Sequence, residues 1–205
     1  MDISFDFGTL LAVLVCLVVS ITLHEMMHAY AGLKLGDTTA HEEGRVSLNP
    51  LRHIDPFATV VLPIITLVLF HAPILAAKPV PFNPDRVKFD EFGAAIIAAA
   101  GPFTNLALAV VGGVIAHLLG GNAAVYNILT IFVSLNVGLF VFNMVPIPPL
   151  DGSRILYAFA PDFLRGIMAQ IETYGIFIVF GLVLMVPAFS ELLINLNRSI
   201  SLFLL

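Results

Sequence analysis

Apolar runs of about 20 residues, long enough to cross a hydrocarbon core as helix, recur along this chain and make the bilayer its main solvent. One starts at Gly8 and stays apolar through Val19; others cover residues 91–119, 124–145 and 165–186. The composition agrees, since 59% of the 205 residues are apolar and only 11% are charged, far from a soluble domain. The expected fold is all-α and multi-pass: one integral-membrane domain over 1–205, a bundle of about four to six membrane segments. That length leaves no room for a separate soluble module.

The net charge of −5 carries little weight, because topology follows Lys and Arg placement rather than net charge. The nine basic residues are scattered through loops and helix ends, with no interleaved aromatics. Nucleic-acid binding is therefore not expected. The single cysteine, Cys16, lies in an apolar run and rules out a disulfide framework or a cysteine metal site. Asp2 and Asp6 precede the first apolar run in place of a basic n-region, and no small-residue cleavage site follows it. The segment reads as a retained helix, not a signal peptide.

The first helix is expected from about Gly8 to Leu35. Polar residues 36–54 follow, in which Gly44 to Leu48 alternates loosely, as a short β-like segment would. Asp55-Pro56 reads as a helix start, leading into residues 57–70. Residues 71–90, rich in proline and charge, read as an extended loop. Helices are expected over 91–119 and 124–145, the second ended by Pro146, Pro148 and Pro149. A short helix over Ser153–Phe159 and a spanning one over 165–186 follow. The tail, 189–205, carries Leu192, Leu193, Leu196 and Ile200 on one face and Glu191, Asn195 and Arg198 on another, suiting an interfacial or a spanning helix. No internal repeat is visible.

The chemistry concentrates in His24-Glu25-Met26-Met27-His28. Residues four apart project from one helix face, so both imidazoles can share one ion. Glu25 lies about 100° round from His24, able to reach water at the metal without being a ligand. A catalytic zinc takes three protein ligands. The third candidate is Asp151, in Asn143-Met144-Val145-Pro146-Ile147-Pro148-Pro149-Leu150-Asp151-Gly152, where the prolines forbid regular helix. Irregular backbone at membrane depth is tolerated only beside protein or trapped water. The bland alternatives are wetted histidines at a helix end and an acid that merely caps the next helix.

These motifs, with Gly101-Pro102-Phe103-Thr104-Asn105, resemble the site-2 protease family of intramembrane zinc metalloproteases, over about residues 8 to 186. Gly44 to Pro56 and Ala77 to Pro84 look like its compact bacterial branch, without PDZ or CBS domains. The resemblance implies one catalytic zinc ion held by His24, His28 and Asp151, with Glu25 as general base. It also implies that Asn143 and Asn105 bind the substrate backbone or the oxyanion. His53, beside Asp55, either lines the site or is a polar helix-entry residue. His41, His71 and His117 read as loop or interfacial residues, and Gly101, Gly112, Gly113 and Ala107 as close-packing positions.

Topology is constrained by parity. The histidines lie about 24 Å along the first helix, toward Lys34, so the end of the 124–145 helix must reach the same side. Helices 91–119 and 124–145 supply two crossings. Segment 57–70 must then be re-entrant, consistent with its short length and the basic residues on both flanks. Arg154 and Arg165 after Asp151 place the site toward the cytoplasm and residues 1–7 outside, in a cell membrane. Expected partners are the lipid bilayer and transmembrane or signal-peptide-remnant substrates. These would be held extended, by strand addition at Gly44–Leu48 or within 71–82. A metal channel and an inactive metal-binding scaffold are the rival classes.

Overall fold

A computed structural model describes residues 7–53, 80–119 and 121–205. The chain forms helices α1 (Phe7–Lys34), α2 (Thr39–Glu42), α3 (Asp90–Leu119), α4 (Ala123–Asn143), α5 (Asp151–Phe159), α6 (Asp162–Glu172), α7 (Gly175–Met185) and α8 (Pro187–Leu204). Short 3₁₀ turns occur at Pro50–Arg52 and Pro84–Arg86. Each follows an asparagine whose side chain accepts a backbone N–H two residues on, from Leu51 to Asn49 and from Asp85 to Asn83, with proline next. That pairing of cap and proline starts a helical turn cheaply. Asn122 does the same for α4, accepting from Ala124 and Val125.

Helices α1, α3 and α4 are each long and apolar enough to cross a membrane, so the protein is an all-α multi-pass membrane protein. Segment 165–186 is not one straight helix. It divides at Thr173-Tyr174, and α6 and α7 pass the same test only as a pair bent by 82°. Gly175, first residue of α7, sits so close to the Pro148 carbonyl that a Cβ there would overlap it. Glycine is therefore required where α7 begins against the strap.

Gly44–Leu48 is not a strand, and no strand occurs among the described residues. The segment closes on itself instead: Arg45 Nη1 donates to the Arg52 carbonyl at 2.6 Å, and His53 Nε2 meets the Ser47 carbonyl at 2.8 Å. The expected helix start at Asp55-Pro56, the re-entrant segment 57–70, His71 and most of the 71–82 stretch lie outside the described residues.

α3 lies at the centre, packed against α1, α4 and α5. Lipid is as apolar as leucine, so close packing rather than exclusion of water must hold such helices together. The glycines serve this. A Cβ at Gly112 would stand 3.0 Å from the Phe132 ring and 3.1 Å from Val133, and one at Gly113 would overlap the Leu204 backbone. Ala109, Val133, Val137 and Val141 form the buried cluster between α3 and α4, joined by Leu193, Ile200 and Leu204 from α8. The tail thus packs along α4, pinned by Asn197, which donates to the Ser134 carbonyl at 3.1 Å. Its Leu192 and Leu196 face outward.

The end of α1 is tied to the approach to α3. Buried Asp37 accepts from the Thr39 N–H (3.0 Å), the Thr39 hydroxyl (2.5 Å) and the Asn83 N–H (2.7 Å), while Lys88 N–H donates to the Leu35 carbonyl at 2.9 Å. Burial pushes the Asp37 carboxyl up, but these hydrogen bonds, with Arg86 nearby, outweigh it and hold the group below the usual carboxylate range.

Candidate metal centre

His24 and His28 stand one turn apart on the face of α1 turned to α3. Their Nε2 atoms are 3.0 Å apart, and Asp151 Oδ2 lies 3.3 Å from each. Three ligand atoms converge from a spanning helix and from the first residue of α5. Among the described residues this is the group of His, Cys, Asp and Glu able to hold a metal ion.

The outer ring nitrogens decide what the inner ones can do. His28 Nδ1 donates to the Ile97 carbonyl at 2.7 Å, a pure acceptor. His24 Nδ1 faces Asn105 Oδ1 at 2.6 Å. With protons at both Nδ1 positions, both Nε2 atoms present lone pairs toward each other and toward a carboxylate. Three acceptors facing one another with no hydrogen between them call for a cation. Ligands about 2.0–2.1 Å from a tetrahedral zinc lie roughly 3.3–3.4 Å apart, close to the separations found. Two imidazoles and one carboxylate suit zinc, and they leave a fourth position open.

The close approach depends on Gly101 of α3. A Cβ there would overlap the His28 ring and press on His24, so no other residue lets α3 lie against this face of α1. The adjacent Pro102 is fully buried within the same helix. Asp151 is placed by a different device. After Asn143 the chain runs through turns and bends, with Ile147 N–H on the Val145 carbonyl at 2.9 Å and Leu150 N–H on the Ile147 carbonyl at 3.0 Å. Gly152 lets this strap fold back under α5, since a Cβ there would overlap the Met144 and Val145 carbonyls. The carboxylate sits in the first turn of α5, where the helix dipole favours an anion.

Glu25 is half-buried beside the cluster, outside it, and interacts electrostatically with His24, His28, Asp151 and His53. His53 is 2% exposed and lies in this electrostatic neighbourhood. Its Nε2 is held by Ser47, and its Nδ1 has no partner among the described residues. Asn143, half-buried at the end of α4, turns its amide back onto the Leu139 carbonyl at 3.0 Å. Asn105 is fully buried, and its amide is committed to His24, to Asn136 and to the Ser20 carbonyl. It stands behind the His24 ring, on the side away from Asp151. His41, on α2, and His117, in the last turn of α3, are exposed and stand apart from the cluster.

Sequence reasoning passed over Ser20 and Asn136, both 0% exposed and bonded into this site. The signal was present, as polar side chains inside spanning helices α1 and α4.

The profile of peptidase family M50 matches residues 114–187, which contain α4, the strap and Asp151. "Putative zinc metalloprotease YwhC" of Bacillus subtilis is 37% identical over 188 residues, covering 87% of this chain and 82% of the relative. "Putative zinc metalloprotease Rip2" of Mycolicibacterium smegmatis is 27% identical over 191 residues, 90% of this chain and 70% of the relative. "Putative zinc metalloprotease MJ0611" of Methanocaldococcus jannaschii is 33% identical over 133 residues, 65% of this chain and 62% of the relative. No solved structure matches. Similar to YwhC over most of both lengths, and carrying a donor set that fits zinc, the chain belongs to peptidase family M50, the site-2 protease family of intramembrane zinc metalloproteases.

Proposed function

We propose that this protein hydrolyses peptide bonds within transmembrane segments, with Glu25 as general base beside a zinc ion held by His24, His28 and Asp151. The observation that carries this is the convergence of three metal-competent atoms with one further carboxylate close by but outside the cluster. A ligand set needs the first, and proton transfer needs the second.

Zinc in this donor set supplies Lewis acidity to water and to a peptide carbonyl. Glu25 takes the proton from the attacking water and returns it to the amine nitrogen as the C–N bond breaks. The Asn143 amide, released from Leu139, donates to the oxygen on which negative charge develops. His53 Nδ1, an acceptor when Nε2–H is held by the Ser47 carbonyl, takes a backbone N–H of the extended substrate. Asp151, at 22% side-chain exposure against 8–9% for the histidines, marks the side by which water enters.

The whole chain acts as one membrane domain, in a cell membrane, with residues 1–7 outside and the site toward the cytoplasm, as Lys34, Arg154 and Arg165 favour. Single-pass membrane proteins and signal-peptide remnants are the substrates this arrangement suits. The test is Glu25→Gln, assayed for zinc content and for cleavage of a transmembrane substrate in detergent or vesicles. Retained zinc with cleavage reduced by at least about 10²-fold is expected. Unimpaired cleavage removes Glu25 from the chemistry, and a wild-type protein that binds zinc but cuts nothing points to the scaffold instead.

A further inference from the structure

We propose that Asn136 acts on the metal site at one remove: it fixes which end of the Asn105 amide faces His24, and thereby which nitrogen of His24 carries the proton. The inference rests on His24 being a zinc ligand and concerns how it is kept competent to bind.

The two ends of an asparagine amide are alike in shape and opposite in hydrogen bonding. With Oδ1 toward His24, the ring donates from Nδ1 and keeps its Nε2 lone pair for the ion. Turned round, Nδ2 would demand the lone pair at Nδ1 and put the proton on Nε2, pointing at His28 and Asp151. Asn105 by itself does not choose between these states. Its far end does, because Nδ2 donates to Asn136 Oδ1 at 2.9 Å and to the Ser20 carbonyl at 3.4 Å. A reversed amide would set an oxygen against two oxygens.

Asn136 is oriented in the same way. Its Nδ2 donates to the Phe132 carbonyl and to Ser20 Oγ, each at 2.9 Å. Ser20 Oγ in turn donates to the Cys16 carbonyl at 2.7 Å, which leaves its lone pair for Asn136. The direction of the whole chain is therefore set by backbone carbonyls that cannot turn round: Phe132 and Cys16 through Asn136, and, at the longer 3.4 Å, Ser20 on Asn105 itself. It passes from α4 and α1 through Asn105 on α3 to the ligand. Ser20, Asn105 and Asn136 are all 0% exposed, so no water substitutes for a missing partner. His28 needs no such relay, because a backbone carbonyl holds it directly.

The test compares zinc affinity, by chelator competition in detergent, for wild type, Asn136→Leu, Asn105→Asp and the double variant. Asn136→Leu alone should weaken zinc by about 10–100-fold, the usual cost of losing a residue that orients a ligand. A carboxylate at 105 presents two equal acceptors to His24 and needs no orienting, so adding Asn136→Leu to Asn105→Asp should cost under about threefold. Nitrogen NMR of the zinc-free protein should show the His24 proton on Nδ1 in wild type and partly on Nε2 in Asn136→Leu. If Asn136→Leu does not fold, Ser20→Ala carries the same comparison with a smaller loss. Equal losses in both backgrounds make Asn136 a packing residue, and no loss in either removes it from the site; both overturn the inference. Wild-type protein without zinc affinity overturns the site itself.

Discussion

The two halves of the metal centre reach the same point by different physics. On the α1 side the backbone is regular helix, and the side chains are constrained: His24 and His28 are each held from behind by a hydrogen bond, on Asn105 and Ile97, and sit where Gly101 leaves room for their rings. On the strap side the carboxylate of Asp151 meets, among the described residues, the two imidazoles, while the backbone that carries it is constrained. Short turns, Gly152 against Met144 and Val145, and Gly175 against Pro148 set its place. A packed helix face can grip side chains from behind with neighbouring helices. The strap is placed instead by its own turns and by α7 and α8, where Val145 and Leu150 pack with Val179, Val183 and Phe189, and its Asp151 keeps 22% side-chain exposure. The helix side should therefore govern metal retention, and the strap side catalytic alignment.

Gly101→Val is the strongest way to break this contrast. Its branched side chain displaces both imidazoles, and zinc affinity should fall by more than about 100-fold, beyond the loss of one orienting partner. Metal content after dialysis checks this, and a variant that keeps stoichiometric zinc would refute the close-approach account. Gly152→Ala comes next. Its Cβ pushes the strap and Asp151 aside, and misplacement of about 1 Å can cost roughly 10²-fold in rate. Zinc should weaken as well, by about 10–100-fold, because Asp151 is one of the three ligands, but less than in Gly101→Val, since the histidine pair is untouched. If zinc is lost as fully as in Gly101→Val, the two sides do not differ.

Two smaller effects lie behind the site. Asp37→Asn removes a carboxylate with three hydrogen bonds at the foot of α1 and should cost about 1–3 kcal/mol in unfolding assays. The sign of its pH dependence follows from the lowered carboxyl. The unfolded chain holds this proton more tightly than the folded one, so the stabilisation is complete above the ordinary carboxylate range and disappears as pH falls through the folded value. Acid melting curves of wild type and Asp37→Asn should therefore converge. Arg165→Ala, behind the strap, frees the Tyr157 and Ala158 carbonyls at the end of α5. It should cost about 0.5–1.5 kcal/mol, with zinc content unchanged.

Much was legible because lipid imposes simple rules. Apolar runs gave α1, α3 and α4 to within a residue or two, since a spanning backbone must satisfy its own hydrogen bonds locally. The HExxH spacing likewise put His24 and His28 on one face, because helical periodicity is a local property. The break between α6 and α7 was not legible, since the close approach of Gly175 to the Pro148 carbonyl joins residues far apart in the chain. Nor was the closed loop at 45–53, whose alternation resembled a strand until Arg45 and His53 found carbonyls within the same loop.

By itself, then, the order of residues determined that the chain lives in a bilayer, where its main helices run, and which side chains have the chemistry to bind zinc. Tertiary packing alone decided that Asp151 meets the histidines, that the Asn105 amide bonds His24, and that Ser20 and Asn136 belong to the same network. The reason is range: periodicity and propensity act over a few neighbours, whereas these contacts join residues from 31 positions apart, Asn105 to Asn136, to 127 apart, His24 to Asp151, and only the packing of α1, α3, α4 and α5 brings them within reach.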